Sequence, residues 1–369
     1  MSGAPVAELL RLATEALIEA LAAALNAGQP AAGGFLGISD LVLRRGDQGA
    51  TVPFLLLKGF ALRLAGDYKA CVEPLTHAIG MLRSGDSGSV GDLRCLELGC
   101  WAAIDLLDVG ACQTLARNAA RTARASGALA DLPVALVILA GCETVAGRLA
   151  AAEGSLAEAG EISTAMGNPG MEDAAGSEIA LLLAWRGQPT EARGAIAAYR
   201  SSSLARGQRA GVLLADYATS VLELGLGNYA EALACVLPVF AEDPPALGTE
   251  VLPELVESAV RAGHRAVAQA GLQRLAERAD ASGTELSRGL LARSRALFTD
   301  DDAAHAHYRE AAERLERSGA RLELARAHLL YGEWDRLVRT PPGLPGPRRP
   351  SAVGRRRPTA GRRTAGPSQ

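Results

Sequence analysis

Strand patterns, lysines and aromatic side chains are all scarce in this chain of 369 residues, and each shortage narrows what it can be. Aromatics make up 4% of residues, and no alternating Val/Ile/Thr/Tyr run of useful length occurs, so an all-α fold outweighs a mixed one. The only lysines are Lys58 and Lys69, and no G-x-x-x-x-G-K-[S/T] string exists. Apolar residues, not glycines, precede Lys58-Gly59, which excludes ATP binding through a P-loop. The longest apolar run, Leu132 to Ala140, is too short for a bilayer, which takes about 20 residues. The first thirty residues lack a basic start followed by an apolar core, and Glu8, Glu15 and Glu19 argue against a signal peptide. The six cysteines (Cys71, Cys95, Cys100, Cys112, Cys142, Cys235) form no C-x-x-C and read as small core residues in a reducing cytoplasm. The expectation is a cytoplasmic protein with no membrane partner.

The formal net charge of -3 averages two different polymers. Residues 335 to 369 hold nine Arg against one Asp, about +8, which leaves residues 1 to 334 at about -11. An acidic body repels a phosphate backbone, so residues 1 to 334 are not expected to bind nucleic acid.

Ala and Leu dominate what is present, arranged as repeated helical hairpins. In Ser220 to Leu237, apolar residues at helical spacing run into Gly227-Asn228-Tyr229 and resume as a second helix. Gly227 suits a left-handed helix end, Asn228 a cap, and Ala232 a close helix contact. The same device recurs at Gly66-Asp67-Tyr68 with Cys71, and at Gly187-Gln188-Pro189 with Ala192. Helix ends placed near Gly66, Gly110, Leu149, Gly187, Gly227, Gly263 and Asp301 give a period of roughly 40 residues. Such a unit cannot bury its own apolar face, so neighbours stack into an α-solenoid of tetratricopeptide-like hairpins with one concave surface. Upstream, Val6 to Leu25 reads as a first, isolated helix and Leu41 to Arg45 as a short one; Ser84 to Gly91 reads as a flexible loop. The expected organisation is N-terminal helices acting as a cap or linker over 1–50, a helical-repeat array over 51–337 and a disordered basic tail over 338–369.

No constellation carries chemistry. Gly85-Asp86-Ser87-Gly88 spells a serine-protease quartet without a β-barrel around it. His305 and His307 stand two apart, on different helix faces, and Glu310 does not complete a metal set. Gly225-Leu226-Gly227 follows no strand, so it is not a dinucleotide loop. Trp101, Trp185 and Trp334 read as hairpin-closing residues, and Arg321, Glu323 and Arg326 as the solvated face of a helix. The chain is therefore expected not to be an enzyme, with no catalytic, cofactor, metal or DNA-contacting residue assigned.

Tyr308 to Trp334 (YREAAERLERSGARLELARAHLLYGEW) resembles the last helical stretch of large ATP-binding LuxR-type transcriptional regulators of actinobacteria. Further matches are Ser126 to Leu136, Met166 to Pro169, Leu183 to Gly187, Ala215 to Thr219 and Ala292 to Leu297, spread from near Leu93 to Trp334. Members of that family carry an N-terminal P-loop ATPase, a tetratricopeptide-like array and a C-terminal helix-turn-helix. This sequence has counterparts of neither end, so the resemblance implies the central sensor and coupling array, a fragment without its own ATPase or DNA reader. Its implied partner is a protein or small-molecule inducer on the concave face, with DNA bound only by an intact member. The alternative is a free-standing scaffold for a peptide or protein.

The tail is read separately. Thr340-Pro-Pro-Gly-Leu-Pro-Gly-Pro347 stops the last helix, and residues 341 to 369 hold almost only Pro, Gly, Arg, Ala, Ser and Thr. GC-rich codons read out of register give that composition, so a frameshift near codon 335 is the expectation. The alternative is a genuine basic tail that touches nucleic acid or membrane through Arg348, Arg349, Arg355 to Arg357, Arg362 and Arg363.

Overall fold

A computed structural model of the chain describes residues 16–25, 28, 51–84, 93–167, 169–299 and 302–339. Residues 1–331 form one compact unit and residues 332–369 a second. Helix follows helix throughout, and no strand occurs among the described residues. The fold is an all-α solenoid of tetratricopeptide type.

The paired helices are α1 (Val52–Leu64) with α2 (Tyr68–Ser84), α3 (Leu93–Asp105) with α4 (Val109–Ser126), and α5 (Leu132–Val145) with α6 (Leu149–Ala165). Next come α7 (Pro169–Trp185) with α8 (Pro189–Ala205) and α9 (Arg209–Leu226) with α10 (Tyr229–Glu242). A short α11 (Leu247–Glu250) leads into α12 (Leu252–Arg261), which pairs with α13 (Arg265–Ser282). Helices α14 (Glu285–Phe298) and α15 (Asp302–Ser318) form the last pair, and α16 (Arg321–Arg339) follows.

The punctuation is more regular than the sequence reading allowed. Left-handed residues fall at 107, 127, 147, 167, 187, 207 and 227, twenty apart, so each helix from α3 to α9, and not only each hairpin, ends on the same device. Gly66, Gly187, Gly227 and Gly263 take the expected conformation, with φ between 68° and 85°. Each is followed by a backbone N–H that reaches back to the helix, as Asn228 N does to the Glu223 carbonyl at 2.8 Å, so orphaned carbonyls are satisfied. Two markers were misplaced. Gly110 lies inside α4, where the true turn is at Leu107, and Leu149 opens α6, with Gly147 as the turn.

Asn228 does not cap α10. Its side chain donates instead to Glu223 Oε2 at 2.6 Å, whereas Asp67 and Asp108 do cap, accepting from Ala70 N at 3.0 Å and Ala111 N at 2.9 Å. The fifth residue after each hairpin turn is small and sealed: Cys71, Cys112, Ala152, Ala192, Ala232 and Ala268 are all at most 1% exposed. That lets the second helix of a pair lie directly on the first. All six cysteines are free thiols, five of them buried, which fits their reading as core residues.

Helical residues 16–25 are not isolated. Ile18, Leu21, Ala22 and Leu25 are buried in one cluster with side chains of α1 to α4. Helix α16 ends at Arg339, just before Thr340-Pro341, where the sequence stops it. Leu41 to Arg45, the loop beyond Ser84 and the tail from 340 lie outside the described residues. No described helix is long and apolar enough to cross a membrane.

Candidate functional site

Two polar assemblies inside the first unit depend on the way the stack curls. The first ties early helices to late ones. Arg63, near the end of α1, donates from Nε to Asp105 Oδ2 at 2.8 Å and from Nη2 to Asp243 Oδ1 at 3.0 Å, across 180 residues of chain. Arg278 of α13 donates from Nη2 to Asp243 Oδ1 at 2.7 Å and from Nη1 to Thr249 Oγ1 at 2.9 Å. Asp105 Oδ1 accepts from Ala246 N at 2.9 Å and Thr249 Oγ1 at 3.1 Å, while Tyr68 donates to the Asp105 carbonyl at 2.8 Å. The Tyr68 ring lies under both guanidinium groups, 5.7 Å from Arg63 and 4.8 Å from Arg278.

The electrostatics of this clasp are fully compensated. Burial alone would lower the Arg63 pKa, but Asp105 and Asp243 outweigh it and hold the guanidinium above its ordinary value. Burial likewise opposes ionisation of Asp243, and Arg63 with Arg278 reverses that, so its carboxyl stays below the usual range. Burial, with Asp105 nearby, pushes the Cys71 thiol up to about 12. The loop held here is strained, because Asp243 (φ 48°) and Ala246 (φ 66°) are non-glycine residues in left-handed backbone.

Leu107 shares that strain at φ 56°. Its side chain is buried with Leu286, Leu290, Ala311, Leu315, Ala320 and Ala327, so contact with late helices holds it in a conformation leucine disfavours. Thr284 adds a hydrogen bond to the Leu106 carbonyl at 3.4 Å. Early and late hairpins therefore meet, and the first helices of the pairs between them face inward.

The second assembly lies on that inner face. Glu178 (α7), Tyr217 (α9), Glu250 (α11), Glu254 and Glu257 (α12), Arg293 (α14), and Glu323 and Arg326 (α16) come from consecutive repeats, yet act on one another electrostatically. Arg326 holds Glu257 through two bonds, Nε to Oε2 at 2.8 Å and Nη2 to Oε1 at 2.7 Å. Arg293, 1% exposed, bonds the Glu323 carboxylate through Nη1. Glu323 and Arg326 are thus not a solvated helix face: they looked like surface because their partners lie 30 and 69 residues away.

Three carboxylates are left over. Glu178 and Glu250 have no side-chain hydrogen bond or ion pair among the described residues, and Glu254 Oε2 is buried without a partner, as is Arg293 Nη2. Glu178 and Glu250 are largely enclosed by protein but keep part of their surface exposed. Burial raises Glu178 to about 7. Burial and the neighbouring Glu178, Glu254 and Glu323 raise Glu250 to about 8, and burial with Glu323 does the same to Glu254 against the pull of Arg293 and Arg326. Burial, then Glu254 and Glu250, pushes the Tyr217 hydroxyl well up.

The residues weighed from sequence lie elsewhere. Gly85 to Gly88 are outside the described residues. His305 Nδ1 meets the Tyr331 hydroxyl at 2.7 Å on the outer end of the stack. Gly227 is a helix terminator, and Lys58-Gly59 sits within α1, where Gly59 lets Leu75 approach. Trp101 and Trp185 pack at core edges, and Trp334 belongs to α16. Sequence reasoning missed Glu178, Glu250, Glu254 and Arg293; the available signal was a charge in the apolar stripe of successive first helices. Among the described residues no group of three His, Cys, Asp or Glu side chains could hold a metal ion.

No family model matches the chain, and no curated protein matches it. Among solved structures it is similar to a Rap protein complexed with Competence and Sporulation Factor, at 13% identity and a TM-score of 0.50, over 90% of this chain and 98% of that one. It is also similar to the TPR domain of P58(IPK), at 12% identity and a TM-score of 0.25, over 87% and 98%. The first likeness extends over nearly the whole chain and shows the fold: a tetratricopeptide-like helical-repeat solenoid.

Proposed function

We propose that the chain is a binding array that receives a partner on the inner face of its helical stack. The observation that carries this is the inner assembly itself, where inward-facing helices of consecutive repeats bring three carboxylates together, none of them closing an ion pair among the described residues, although Arg293 and Arg326 act on Glu254 at longer range. A structural core would gain by replacing them with apolar residues. The solved Rap protein, similar in fold, is seen with Competence and Sporulation Factor bound, which supports a peptide or protein as the partner here. A photo-crosslinking residue at Glu250 tests this in the cells of origin. Discrete adducts at that position, missing from a control at the exposed Leu204, support the reading; equal adducts at both sites, or none, reject it.

A narrower reading follows from the sequence between Leu93 and Trp334. There the chain resembles the sensor and coupling array of LuxR-type regulators, which implies a role in transcriptional control in the cytoplasm without catalysis. The inner face then receives an inducer or a protein partner, and DNA is read only by an intact member. The genomic DNA tests it: a P-loop ATPase encoded upstream and a helix-turn-helix downstream, in any frame, support it. If neither of the other two frames beyond codon 335 gives a helix-turn-helix with amphipathic helices, the frameshift expectation is wrong. By calorimetry the chain should show no saturable ATP binding.

A further inference from the structure

We infer that the clasp is an openable joint: the early and late hairpins part along it as two folded groups, so the helical stack has a closed and an open state. This movement is independent of what the inner face receives.

Apolar burial holds each group together but barely joins them. One apolar cluster gathers side chains between residues 18 and 142, another between 180 and 268, and they share none. Leu107 is the buried early residue that enters a cluster of α14 and α15, with Val109 and Val145 beside it. Gly28 abuts Ala210, and Gly147 abuts Arg321, but a glycine brings no side chain to bury. The rest of the seam is polar. Arg63 and Asp105 on one side bind Asp243, Ala246 N and Thr249 on the other, and Thr284 donates to the Leu106 carbonyl at 3.4 Å. Desolvation cancels much of the attraction in a buried ionic contact, so such a seam returns less on closing than apolar packing does.

Backbone strain is a second and independent observation. Among the described residues Leu107, Asp243 and Ala246 are the non-glycine residues with positive φ, and all three lie on the seam. The other left-handed turns carry glycine, which takes that conformation at little cost. Closing the seam therefore strains both of its sides, and opening releases the strain. The ion pairs hold the closed state against that release, and opposed contributions of this kind bring two states close in free energy.

Gly248 shows how closely the closed loop is fitted. A Cβ there would meet the Asp243 carboxylate and stand 2.9 Å from the Asp243 carbonyl carbon. Helix α11 carries Thr249 in the clasp and Glu250 on the inner face, so movement at the joint reaches that face.

Native-state hydrogen exchange of the full chain, with small-angle X-ray scattering alongside, tests the joint. In the parent, segment 243–249 should exchange through an opening less costly than the one that exposes α9 and α10. Gly248→Ala, which removes no charge, and Arg63→Ala should speed that exchange about tenfold or more and enlarge the radius of gyration, with the helical circular dichroism unchanged. Ala246→Gly relieves the closed state, so after correction for intrinsic rates it should slow the same exchange about threefold or more.

Exchange of segment 243–249 only through global unfolding of the parent overturns the inference. So does retention of the parent's exchange and dimensions by both Gly248→Ala and Arg63→Ala, and so does faster exchange in Ala246→Gly. Where a destabilised variant loses its helical signal, the exchange of the parent and of Ala246→Gly decides. None of these results depends on whether Glu250 forms cross-links.

Discussion

The clasp around Asp105 and Asp243 and the inner cluster around Glu250 and Glu254 are adjacent, similarly buried and built from the same residue types, yet they obey opposite rules. In the clasp each carboxylate meets a guanidinium and several donors, and Arg63 with Arg278 holds Asp243 ionised against the cost of burial and fixes one geometry. In the cluster carboxylates meet one another, so burial favours the neutral state. Their contributions to stability consequently have opposite pH dependence. Asp243, with its pKa held below 3.8, stabilises above the ordinary carboxylate range and loses that contribution as pH falls through its lowered value. The cluster, raised from 4.5 toward 7 and 8, contributes fully below 4.5 and loses that contribution as pH rises. Full pairing marks the clasp as a structural joint.

The largest expected effect breaks the clasp. Arg63→Ala leaves Asp105 and Asp243 buried with only Arg278 and neutral donors, and removal of one partner from a buried pair costs about 3–5 kcal/mol. Denaturant unfolding at pH 7 should show a loss of that order. A loss below about 1 kcal/mol means that the early and late hairpins are not held together here.

The second effect has the reverse sign. Glu254→Gln removes an unpaired buried charge, so it should stabilise the fold at pH 9 and change little at pH 5. Thermal melts of the parent should fall in midpoint between pH 5 and 9, and the variant should lose part of that slope. A parent midpoint that rises over this interval contradicts the cluster's electrostatics.

A backbone effect of more than about 1 kcal/mol is expected where no charge is involved. Gly227 has φ 77° and only the Tyr229 hydroxyl near its missing Cβ, at 3.9 Å, so Gly227→Val is resisted by conformation and not by space. Gly225, two residues earlier inside α9, also faces open space, and Gly225→Ala should gain about 0.5–1 kcal/mol. Equal melts for the two variants misplace the turn.

These contrasts locate what the sequence made legible. Glycine is the residue for left-handed backbone, so Gly66, Gly187, Gly227 and Gly263 announced their turns. Leu107 announced nothing, because a leucine enters that conformation only under contacts with residues 286 to 327. The marker was therefore set at the nearest glycine, Gly110. Helical spacing likewise revealed which faces are apolar but not which charges face inward. Arg326 looks like surface until Glu257 is placed beside it, and the Arg63 to Asp243 pair spans 180 residues that no local pattern connects. The hairpins were local information, and the curl that brings their ends together was not.

The smallest effect sharpens the comparison by supplying its control. Arg124 and Glu158 approach to 2.6 Å, within the range of distances found in the clasp, but stand 49% and 42% exposed. Water screens their attraction, and holding two long side chains costs rotamer entropy, so such a pair is worth about 0–1 kcal/mol. Arg124→Ala should therefore shift the unfolding midpoint slightly, and raising the salt concentration should erase the difference, since exposed charges are screened within about 10 Å at 0.1 M salt. The Arg63→Ala loss should survive the same salt, because ions do not enter a joint that is 3% exposed at Arg63 and closed at Asp105. If salt removes both effects alike, then distance alone and not burial governs these pairs, and the division between clasp and cluster loses its physical basis.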